Sequence, residues 1–566
     1  MPDEISETNF DVIIIGAGIN GAGIARDAAM RGLKVLLLDK GDIGGGTSSW
    51  STRLIHGGLR YLEHGEFGLV RESLRERETL LRIAPHLVRP LPILIPIYKG
   101  ARRGRLMIKA GMIAYDALSF GKSLPGHRML SREETLRELP DLNREGLVGA
   151  AIYYDAQVEF PERLVLENVL SAVAYGAQVH TYASVEKLLI EGDRVRGVEF
   201  TQGPKSNFLP VPLGEGWGAG GAELNPSPLS PFPWEGDEKP NAGTQTATAS
   251  IVINAAGPWV DQILTESAAN SPKLIGGTKG SHLIVASFPG APKTGLYVEA
   301  ETDGRPFFII PWNGKYLIGT TDIRFSGDLD RVSIEEDEVD YLLHETNRII
   351  PDAKLTRGQI LFTYSGVRPL PFAGDENEGS ITRRHFIRAH PRLRGLLSIV
   401  GGKLTTYRSL AEETVDRVLS ELGRTAIKCV TEREALPGAD AGTTTSVSPD
   451  DRLARIYGRR ASLIMDLAEA DPSLTEVFDE ETGAIAAEIV FAFKNELAQT
   501  LTDCLLRRTM VGLNSTCGLE AVYMAGAIAQ KHLGWAAGQT QDEIAEYQAE
   551  VKRRLTGAGA SPPSGP

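Results

Sequence analysis

The chain has 566 residues, of which 42% are hydrophobic and 23% charged, and its formal net charge is −13. This composition is typical of a globular protein, and the length predicts about three or four domains. The negative charge disfavours nucleic acid as a partner, so any anionic ligand must be bound by local cations.

The three cysteines are too few and too widely spaced for an iron–sulfur cluster or a disulfide framework, and no metal site is expected. They are Cys429, Cys504 and Cys517. The N-terminal segment 1–10 is acidic and has no apolar core, which argues against a signal peptide. No run of about 18 apolar residues is present. We therefore expect a cytoplasmic protein that at most lies on a membrane surface.

The first predicted elements form a βαβ unit, with strands at 11–15 and 34–39 and a helix at 21–32. The motif Gly16-Ala-Gly18-Ile-Asn20-Gly21 stands between the first strand and the helix. Such glycines let a helix N-terminus approach a pyrophosphate, and Asp39 at the end of the second strand can accept hydrogen bonds from a ribose. The unit predicts a bound dinucleotide without separating NAD from FAD.

The segments that follow alternate between helices and strands. A helix with a solvated charged face is predicted at 67–83, and the proline-rich segment 85–96 is interpreted as an edge strand or a connection between domains. Another helix at 160–177 precedes a strand at 178–181, and the alternation in 186–199 predicts a hairpin.

The segment 203–249 is rich in proline and glycine and lacks periodicity, which predicts a flexible surface insertion. A buried strand is expected at 251–256. Later strands predict a second, antiparallel sheet, and a C-terminal unit begins near 436–445 with one amphipathic helix through 485–505. The later strands and the helix after them are predicted at 282–285, 307–311, 316–318, 396–400 and 404–422.

Three distant segments favour an extended, buried FAD over NAD. Glycine-rich 44–49 follows the βαβ unit, 251–257 returns a strand and a glycine, and 401–408 places paired glycines before a helix. The predicted cofactor-binding residues are Gly16, Gly18, Asn20, Gly21, Asp39, Lys40, Thr47, Ser48, Ser49, His56, Gly57, Gly58, Ala256, Gly257, Gly402, Lys403, Leu404 and Thr405.

Four cations lie in compact apolar or glycine-rich surroundings instead of in solvated charge runs: Arg60, Arg368, Arg383 and Lys403. Each alone suits a structural salt bridge, but together they predict an anion site. Among the histidines, His56 and His282 are the titratable candidates. A neutral imidazole near a substrate hydroxyl can accept its proton while a hydride leaves the adjacent carbon.

A cationic and apolar patch covers residues 98–128, where Asp116 is the only acidic residue. Cations that meet anionic lipid while apolar side chains dip below them are typical of an interfacial membrane contact. An ordinary amphipathic helix on the protein's own core is the alternative. The patch residues are Lys99, Arg102, Arg103, Arg105, Lys109, Lys122 and Arg128, with Leu106, Met107, Ile108, Met112, Ile113 and Phe120.

Several motifs together resemble the FAD-dependent glycerol-3-phosphate dehydrogenases, within the D-amino-acid-oxidase-like flavoproteins. They are DVIIIGAGINGAGIARDAAMRG, TSSWSTRLIHGGLRYLEHGEF, IVINAAGPW, IGTTD, SGVRPL and GGKLTTYR, followed by ELAQTLTDCLLRRT near the C-terminus. The resemblance implies oxidation of sn-glycerol 3-phosphate to dihydroxyacetone phosphate, with electrons passed through FAD to membrane quinone. The phosphate-binding cations that it implies are Arg60, Arg368, Arg383 and Lys403, with Tyr61 and His56 lining the same pocket and His56 or Arg368 nearest the reacting oxygen. Together with the candidate His282, the predicted substrate-binding residues are Arg60, Tyr61, His282, Arg368, Arg383 and Lys403, and the predicted catalytic residues are His56 and Arg368.

We therefore expect an α/β fold in which a Rossmann-type FAD-binding domain is interleaved with an antiparallel β-sheet substrate domain, followed by a C-terminal helical domain. The predicted bounds are 10–90, 155–265 and 390–425 for the FAD domain, 91–154 and 266–389 for the substrate domain, and 436–550 for the helical domain. The insertion 203–249 departs from the family pattern. The protein is expected at the inner face of the cell membrane, bound to anionic lipid, and a homodimer is compatible with the sequence.

Three other readings stay open. An oxidase with the same site would pass electrons to oxygen and form hydrogen peroxide. An amino-acid or amine oxidase on the same fold would need a site for one carboxylate and a neutral amine, which four cations do not favour. A non-enzymatic flavin-binding scaffold would bind the cofactor without turnover.

Overall fold

The computed structural model describes residues 9–63, 65–203, 243–267, 271–374, 381–425, 427–439 and 451–555. Within these ranges the side chains of Asn9 and Arg60 are outside the description. The strands are β1 (Asn9–Ile15), β2 (Val35–Leu38), β3 (Leu54–Ile55), β4 (Val88–Tyr98), β5 (Arg128–Ser131), β6 (Leu147–Val158), β7 (Gln178–His180), β8 (Ala183–Glu191), β9 (Arg194–Gln202), β10 (Thr244–Asn254), β11 (Thr278–Val285), β12 (Gly295–Glu299), β13 (Pro306–Trp312), β14 (Lys315–Gly319), β15 (Ile323–Arg324), β16 (Ile360–Arg368), β17 (Phe386–His390), β18 (Leu393–Val400), β19 (Val477–Asp479) and β20 (Ala484–Ile485).

The α-helices pack on these strands and form the C-terminal part of the chain. They are α1 (Ile19–Met30), α2 (Phe67–Ile83), α3 (Arg105–Leu118), α4 (Arg132–Glu138), α5 (Pro161–Ala174), α6 (Val260–Glu266), α7 (Glu336–Ile349), α8 (Tyr407–Glu421), α9 (Arg452–Tyr457), α10 (Ala461–Ala470), α11 (Ala486–Asn495), α12 (Leu501–Asp503), α13 (Ala521–Leu533) and α14 (Ala537–Arg554).

The first sheet carries the predicted βαβ unit. Its strand order is β17-β18-β9-β10-β1-β2-β7, with β8 paired to β9. Strand β1 is parallel to both β2 and β10, and Ile15 pairs with Leu38 on one side and Asn254 on the other. Parallel strands covered on both faces read as continuous apolar runs, and β2 is buried throughout. The carboxyl ends of three strands therefore meet at one edge, where α/β folds bind ligands.

The second sheet is almost wholly antiparallel. Its order is β15-β11-β14-β13-β12-β4-β6-β3, while β16 pairs with β11 and β5 with β6. The pairing of β12 with β4 is parallel. Along β11 and β16, Thr278 lies opposite Arg368 and His282 opposite Tyr364. The α/β fold class predicted from the sequence is confirmed.

The single amphipathic helix predicted through 485–505 is wrong. Helix α11 ends at Asn495, and the chain becomes helical again only at Leu501, continuing into a π-helical turn at Cys504–Arg508. Leu497 has a positive φ of 61°, a conformation that an α-helix does not contain. The periodicity continues across the break because the apolar side chains on both sides enter the same core. Asp503 and Arg507, one turn apart in this last stretch, form an ion pair at 2.8 Å.

Two other expectations are wrong, one about the place of a strand in its sheet and one about the end of the insertion. Strand β4 does not lie at a sheet edge, because β6 flanks it on one side and β12 pairs with it at Ile93 and Leu94 on the other. The last part of the predicted insertion, from Thr244 onward, belongs to β10 and pairs with β9. Residues 204–242 of the insertion lie outside the described residues.

The break in the predicted C-terminal helix places a buried carboxylate against helix α5. Glu496 accepts hydrogen bonds from Arg163 Nη2 at 2.7 Å and from Arg460 Nη1 at 2.5 Å. All three side chains are buried. Burial would raise the pKa of Glu496, but Arg163 and Arg460 outweigh it and hold that pKa below its ordinary value.

We predict that Glu496→Gln destabilises the protein by about 3–5 kcal/mol, because two buried guanidinium groups lose their counter-charge. The measurement is the thermal unfolding midpoint. Asp193→Asn is the matched control, since the pair of Asp193 with Arg394 is more than 60% exposed on both sides and such pairs contribute at most about 1 kcal/mol. Equal midpoints for the two variants would contradict the account.

Candidate active site

A cavity of about 1270 Å³ runs from the first sheet into the second. Ile15, Asp39, Ala255 and Gly401 line it, and each lies at or just beyond the carboxyl end of a strand of the first sheet. His282 on β11 and Arg368 on β16 line its other end. The cavity therefore extends from the carboxyl edge of the first sheet, where α/β folds bind nucleotides, to a wall that carries cations.

At the edge of the first sheet the glycines of the motif have distinct steric roles. A Cβ on Gly21 would lie 1.8 Å from the carbonyl oxygen of Gly16, so this glycine allows α1 to pack closely against β1. Gly16 itself has φ +104° and approaches Ala255. Gly18 lines the cavity at the N-terminus of α1, whose positive dipole end is suited to a phosphate.

Asp39 and Ser48 fix the loops around this end. The Asp39 carboxylate accepts hydrogen bonds from the backbone N–H of Ala17 at 2.6 Å and of Gly41 at 2.8 Å. Burial raises the pKa of Asp39, while these two donors lower it. Ser48 Oγ accepts from the N–H of Ile19 at 3.0 Å. The loop after β2 is thereby held against the start of α1.

The residues at this end fit FAD. Ligand pockets for drug-sized molecules measure about 300–1,000 Å³, and this cavity exceeds that range, as a dinucleotide requires. Asn20 Oδ1 and Trp259 Nε1 are buried and have no hydrogen-bond partner among the described residues, although both residues line the cavity. Buried polar atoms without partners are rare in native proteins, so a polar ligand would satisfy them.

The structure brings most of the predicted cofactor residues to the cavity wall, but not all. Gly21 lies within α1 and faces the carbonyl oxygen of Gly16, Ser49 is buried and donates to the carbonyl of Gly44, and Gly57 donates its N–H to Tyr115. The predicted residues that do line it are Gly16, Gly18, Asn20, Asp39, Lys40, Thr47, Ser48, His56, Gly58, Ala256, Gly257, Gly402, Lys403, Leu404 and Thr405.

At the other end, one carboxylate bridges two of the predicted cations. Asp322 Oδ1 accepts from Arg368 Nη1 at 3.1 Å, and its Oδ2 accepts from Arg383 Nη2 at 3.0 Å. Arg368 also donates to Thr320 Oγ1 at 3.0 Å. Burial would raise the pKa of Asp322, but Arg368 and Arg383 outweigh it and hold that pKa below its ordinary value. The carboxylate is therefore ionised at neutral pH.

Lys403 lies at the same end. Its Nζ donates to Ser73 Oγ at 2.6 Å and stands 4.6 Å from the ring centroid of Tyr61. Burial lowers the pKa of Lys403 to about 7, with Glu72 and Glu66 opposing the shift. A lysine that is only half protonated at neutral pH becomes a full cation when an anion approaches it.

Both candidate histidines line the cavity as neutral imidazoles. Burial lowers the pKa of His56 to about 4, with Asp155 opposing the shift and Lys403 adding to it. Burial, followed by Arg368 and Arg53, lowers the pKa of His282 well below its ordinary value. The Nε2 of His282 is 2.9 Å from Thr52 Oγ1, whereas its Nδ1 is buried without a hydrogen-bond partner among the described residues.

Several cavity residues were not predicted from the sequence. Asp322 lies in the quoted motif IGTTD, yet an acidic side chain is not expected inside a cluster of cations. Arg305 also lines this end. Arg553 and Arg554 reach the cavity from the last turn of α14, more than 500 residues after the glycine motif, and only the tertiary structure shows that contact.

Known proteins match almost the whole chain. The family described as FAD dependent oxidoreductase matches residues 11–408, and the C-terminal domain of alpha-glycerophosphate oxidase matches residues 429–540. A glycerol-3-phosphate dehydrogenase of Synechocystis is 44% identical, with 96% of each chain covered. The aerobic glycerol-3-phosphate dehydrogenase of Staphylococcus saprophyticus is 31% identical, covering 89% of this chain and 87% of its own.

A solved structure extends the match to three dimensions. The glycerol-3-phosphate dehydrogenase of Bacillus halodurans, complexed with FAD, has a TM-score of 0.72 and 27% identity, and the match covers 97% of this chain and 96% of that one. The chain therefore belongs to the FAD-dependent oxidoreductase family, and within it to the glycerol-3-phosphate dehydrogenases.

The pKa of about 7 for Lys403 predicts pH-dependent anion binding. Sulfate carries the same charge from about pH 6 to about pH 8, so its affinity for the FAD-loaded protein should fall several-fold over this range as Lys403 deprotonates. Isothermal titration calorimetry measures the affinity. Lys403→Gln should weaken sulfate binding at the lower pH and remove the dependence.

Lys40→Gln is the control, because Lys40 lines the opposite end of the cavity, beside Asp330 and Trp259. It should keep the pH dependence of the parent protein. A Lys403→Gln protein with the parent's pH dependence would show that another group is responsible.

Proposed function

We propose that the protein oxidises sn-glycerol 3-phosphate to dihydroxyacetone phosphate and passes the electrons to a membrane quinone. The observation that supports this most is the bridged cation cluster, in which Arg368 and Arg383 share Asp322 while Lys403 lies at the same end of the cavity. FAD, when bound, supplies an acceptor for the hydride from C2 of the substrate.

The charge of this cluster matches a phosphate dianion. With Lys403 protonated, the four described cations at this end, Arg305, Arg368, Arg383 and Lys403, exceed the two carboxylates Asp322 and Glu66 by two positive charges. Guanidinium groups bind phosphate oxygens in a fixed fork, and a lysine adds a point charge. A single carboxylate, as in an amino-acid substrate, would leave one of these charges uncompensated. Arg60 stays a predicted phosphate ligand, because its side chain is outside the described residues.

His56 is the proposed base for the C2 hydroxyl. Its imidazole is neutral at physiological pH and can take the hydroxyl proton as the hydride leaves the same carbon. Arg368 stays protonated, since a guanidinium does not give up its proton in proteins. It therefore stabilises the negative charge that develops on the C2 oxygen. Tyr61 and His282 complete the wall around the substrate.

The decisive experiment is anaerobic mixing of the FAD-loaded protein with glycerol 3-phosphate while the flavin absorbance is followed. We expect bleaching by glycerol 3-phosphate and not by a D-amino acid, then fast recovery on addition of a quinone. Rapid recovery with oxygen and stoichiometric hydrogen peroxide would instead identify an oxidase, a reading that the matching C-terminal family keeps open. No bleaching by glycerol 3-phosphate would refute the proposal.

Arg368→Ala tests the cation cluster in the same assay. Removing one charged donor to a developing oxyanion slows bleaching roughly 100- to 1,000-fold, while FAD stays bound because Arg368 lies at the far end of the cavity from the glycine motif. Arg368→Lys should recover part of the rate. Unchanged kinetics in Arg368→Ala would remove this residue from the site.

We also propose that the patch around α3 binds the inner face of the cell membrane through anionic lipid. Leu106, Met107 and Ile113 on α3 are more than half exposed, and Phe120 is 99% exposed. Monomeric proteins rarely expose such clusters of large apolar side chains. Ile108 and Met112 of the same patch are buried instead and attach α3 to the protein. No described helix is both long and apolar enough to cross a bilayer.

The cations of the patch define the liposome test. Arg103 bonds to Glu63 and Glu299, so the variant neutralises the exposed Arg102, Arg105 and Lys109. Each surface cation contributes about 1 kcal/mol to the free energy of binding to an anionic leaflet. The affinity of the variant for phosphatidylserine vesicles, measured by co-sedimentation, should therefore be at least tenfold lower than that of the parent protein. Added salt should likewise weaken the binding of the parent protein to these vesicles. A parent protein that does not bind such vesicles would end this proposal.

A further inference from the structure

Resting on the proposed function, we propose that Tyr115 and Asp155 are positioning residues that hold the turn from His56 to Gly58 in its reactive place. Neither residue is among those that line the cavity, whereas His56 and Gly58 on either side of Gly57 both do. The two side chains act on the reaction through the backbone of Gly57.

The hydrogen bonds converge on one backbone N–H. Tyr115 Oη accepts from Gly57 N–H at 2.9 Å and donates to the Asp155 carboxylate, whose two oxygens are each 2.8 Å away. Asp155 Oδ1 also accepts from Arg77 Nη1 at 2.7 Å. Three separate elements, α2, α3 and β6, thus supply one side chain each to the support beneath the turn.

The fit around Gly57 is tight. A Cβ at this position would lie 2.5 Å from Tyr115 Oη and 2.7 Å from Leu74 Cδ2, so only glycine brings the backbone this close. Tyr115 is 2% exposed, and Arg77 and Asp155 are fully buried. Because there is no free space around the tyrosine hydroxyl, any shift of this group also shifts the backbone of the turn.

The energetics point to positioning more than to stability. Removing two charges from water costs several kcal/mol each, and a buried ion pair such as Arg77 with Asp155 often contributes less than apolar residues of the same volume. A fully bonded polar network does, however, define one conformation of its neighbours. The network bonds to the N–H of Gly57, the residue after the proposed base, where a fixed geometry matters for the rate.

Asp155 also acts on His56 through its charge. Burial lowers the pKa of His56, the carboxylate of Asp155 opposes this shift because it favours the imidazolium, and the charge of Lys403 adds to the shift. Loss of the Asp155 charge lowers the pKa of the base further. The same carboxylate thus places the turn and keeps its histidine more basic than burial alone would.

The first test is Tyr115→Phe, which keeps the ring packed against Tyr153 and removes only the hydroxyl. We expect kcat with glycerol 3-phosphate to fall about 10- to 100-fold, since misplacement by about 1 Å costs that much, with KM and FAD content nearly unchanged. Tyr98→Phe is the matched control, because Tyr98 donates to the carbonyl of Asn143 in the same sheet region without touching the cavity. It should behave as the parent.

The second test is Asp155→Asn, which nearly conserves shape and removes the charge. The acidic limb of the kcat/KM profile, where His56 becomes protonated, should move to lower pH. A merely structural role would lower the unfolding midpoint without moving this limb. Parent-like kcat in Tyr115→Phe, or an unmoved limb in a folded Asp155→Asn protein, would overturn the proposal.

Failure of the proposed function is recognised separately. If the parent protein is not bleached by glycerol 3-phosphate, that function fails, and the visible circular dichroism of bound FAD then tests the network alone. Tyr115→Phe should change this spectrum while Tyr98→Phe does not. Equal spectra for Tyr115→Phe and the parent would overturn the positioning role without any turnover measurement.

Discussion

The candidate site depends on placing several positive charges together in a poorly solvated space without forcing them apart. Two guanidinium groups repel strongly at short range when water cannot screen them. Asp322 relieves that repulsion, because each of its oxygens accepts from one arginine at about 3 Å. The carboxylate fixes the spacing of Arg368 and Arg383 and leaves an excess of positive charge at this end of the cavity. In the proposed function, a phosphate dianion neutralises that excess.

Each of the two sheets lines one end of the cavity that contains the candidate site. Parallel strands of the first sheet end at one edge, where the glycine turn and the N-terminus of α1 are suited to the phosphates of a dinucleotide. Antiparallel β11 and β16 of the second sheet project His282 and Arg368 into the same cavity from another direction. Buried contacts such as Glu496 with Arg163 fix the C-terminal helices against this scaffold.

Local sequence patterns predicted the features that depend on residues close together in the chain. The βαβ unit follows from a β-branched run, spaced glycines and a carboxylate, and the fold class followed from such patterns together with the family resemblance. Arg368, Arg383 and Lys403 were grouped because they stand outside solvated charge runs. The helix break at Leu497 was missed because the apolar period continues through it. Asp322 and Tyr115 act through partners distant in the chain, so no local pattern reveals them.

The most direct test of the central claim is a crystal structure of the FAD-loaded protein with glycerol 3-phosphate bound under reducing conditions. The account predicts the phosphate within hydrogen-bond distance of Arg368, Arg383 and Lys403, with Asp322 still bonded to at least one arginine and C2 directed toward His56. A phosphate bound elsewhere in the cavity, with Asp322 and its two arginines undisturbed and without contact to the substrate, would contradict it.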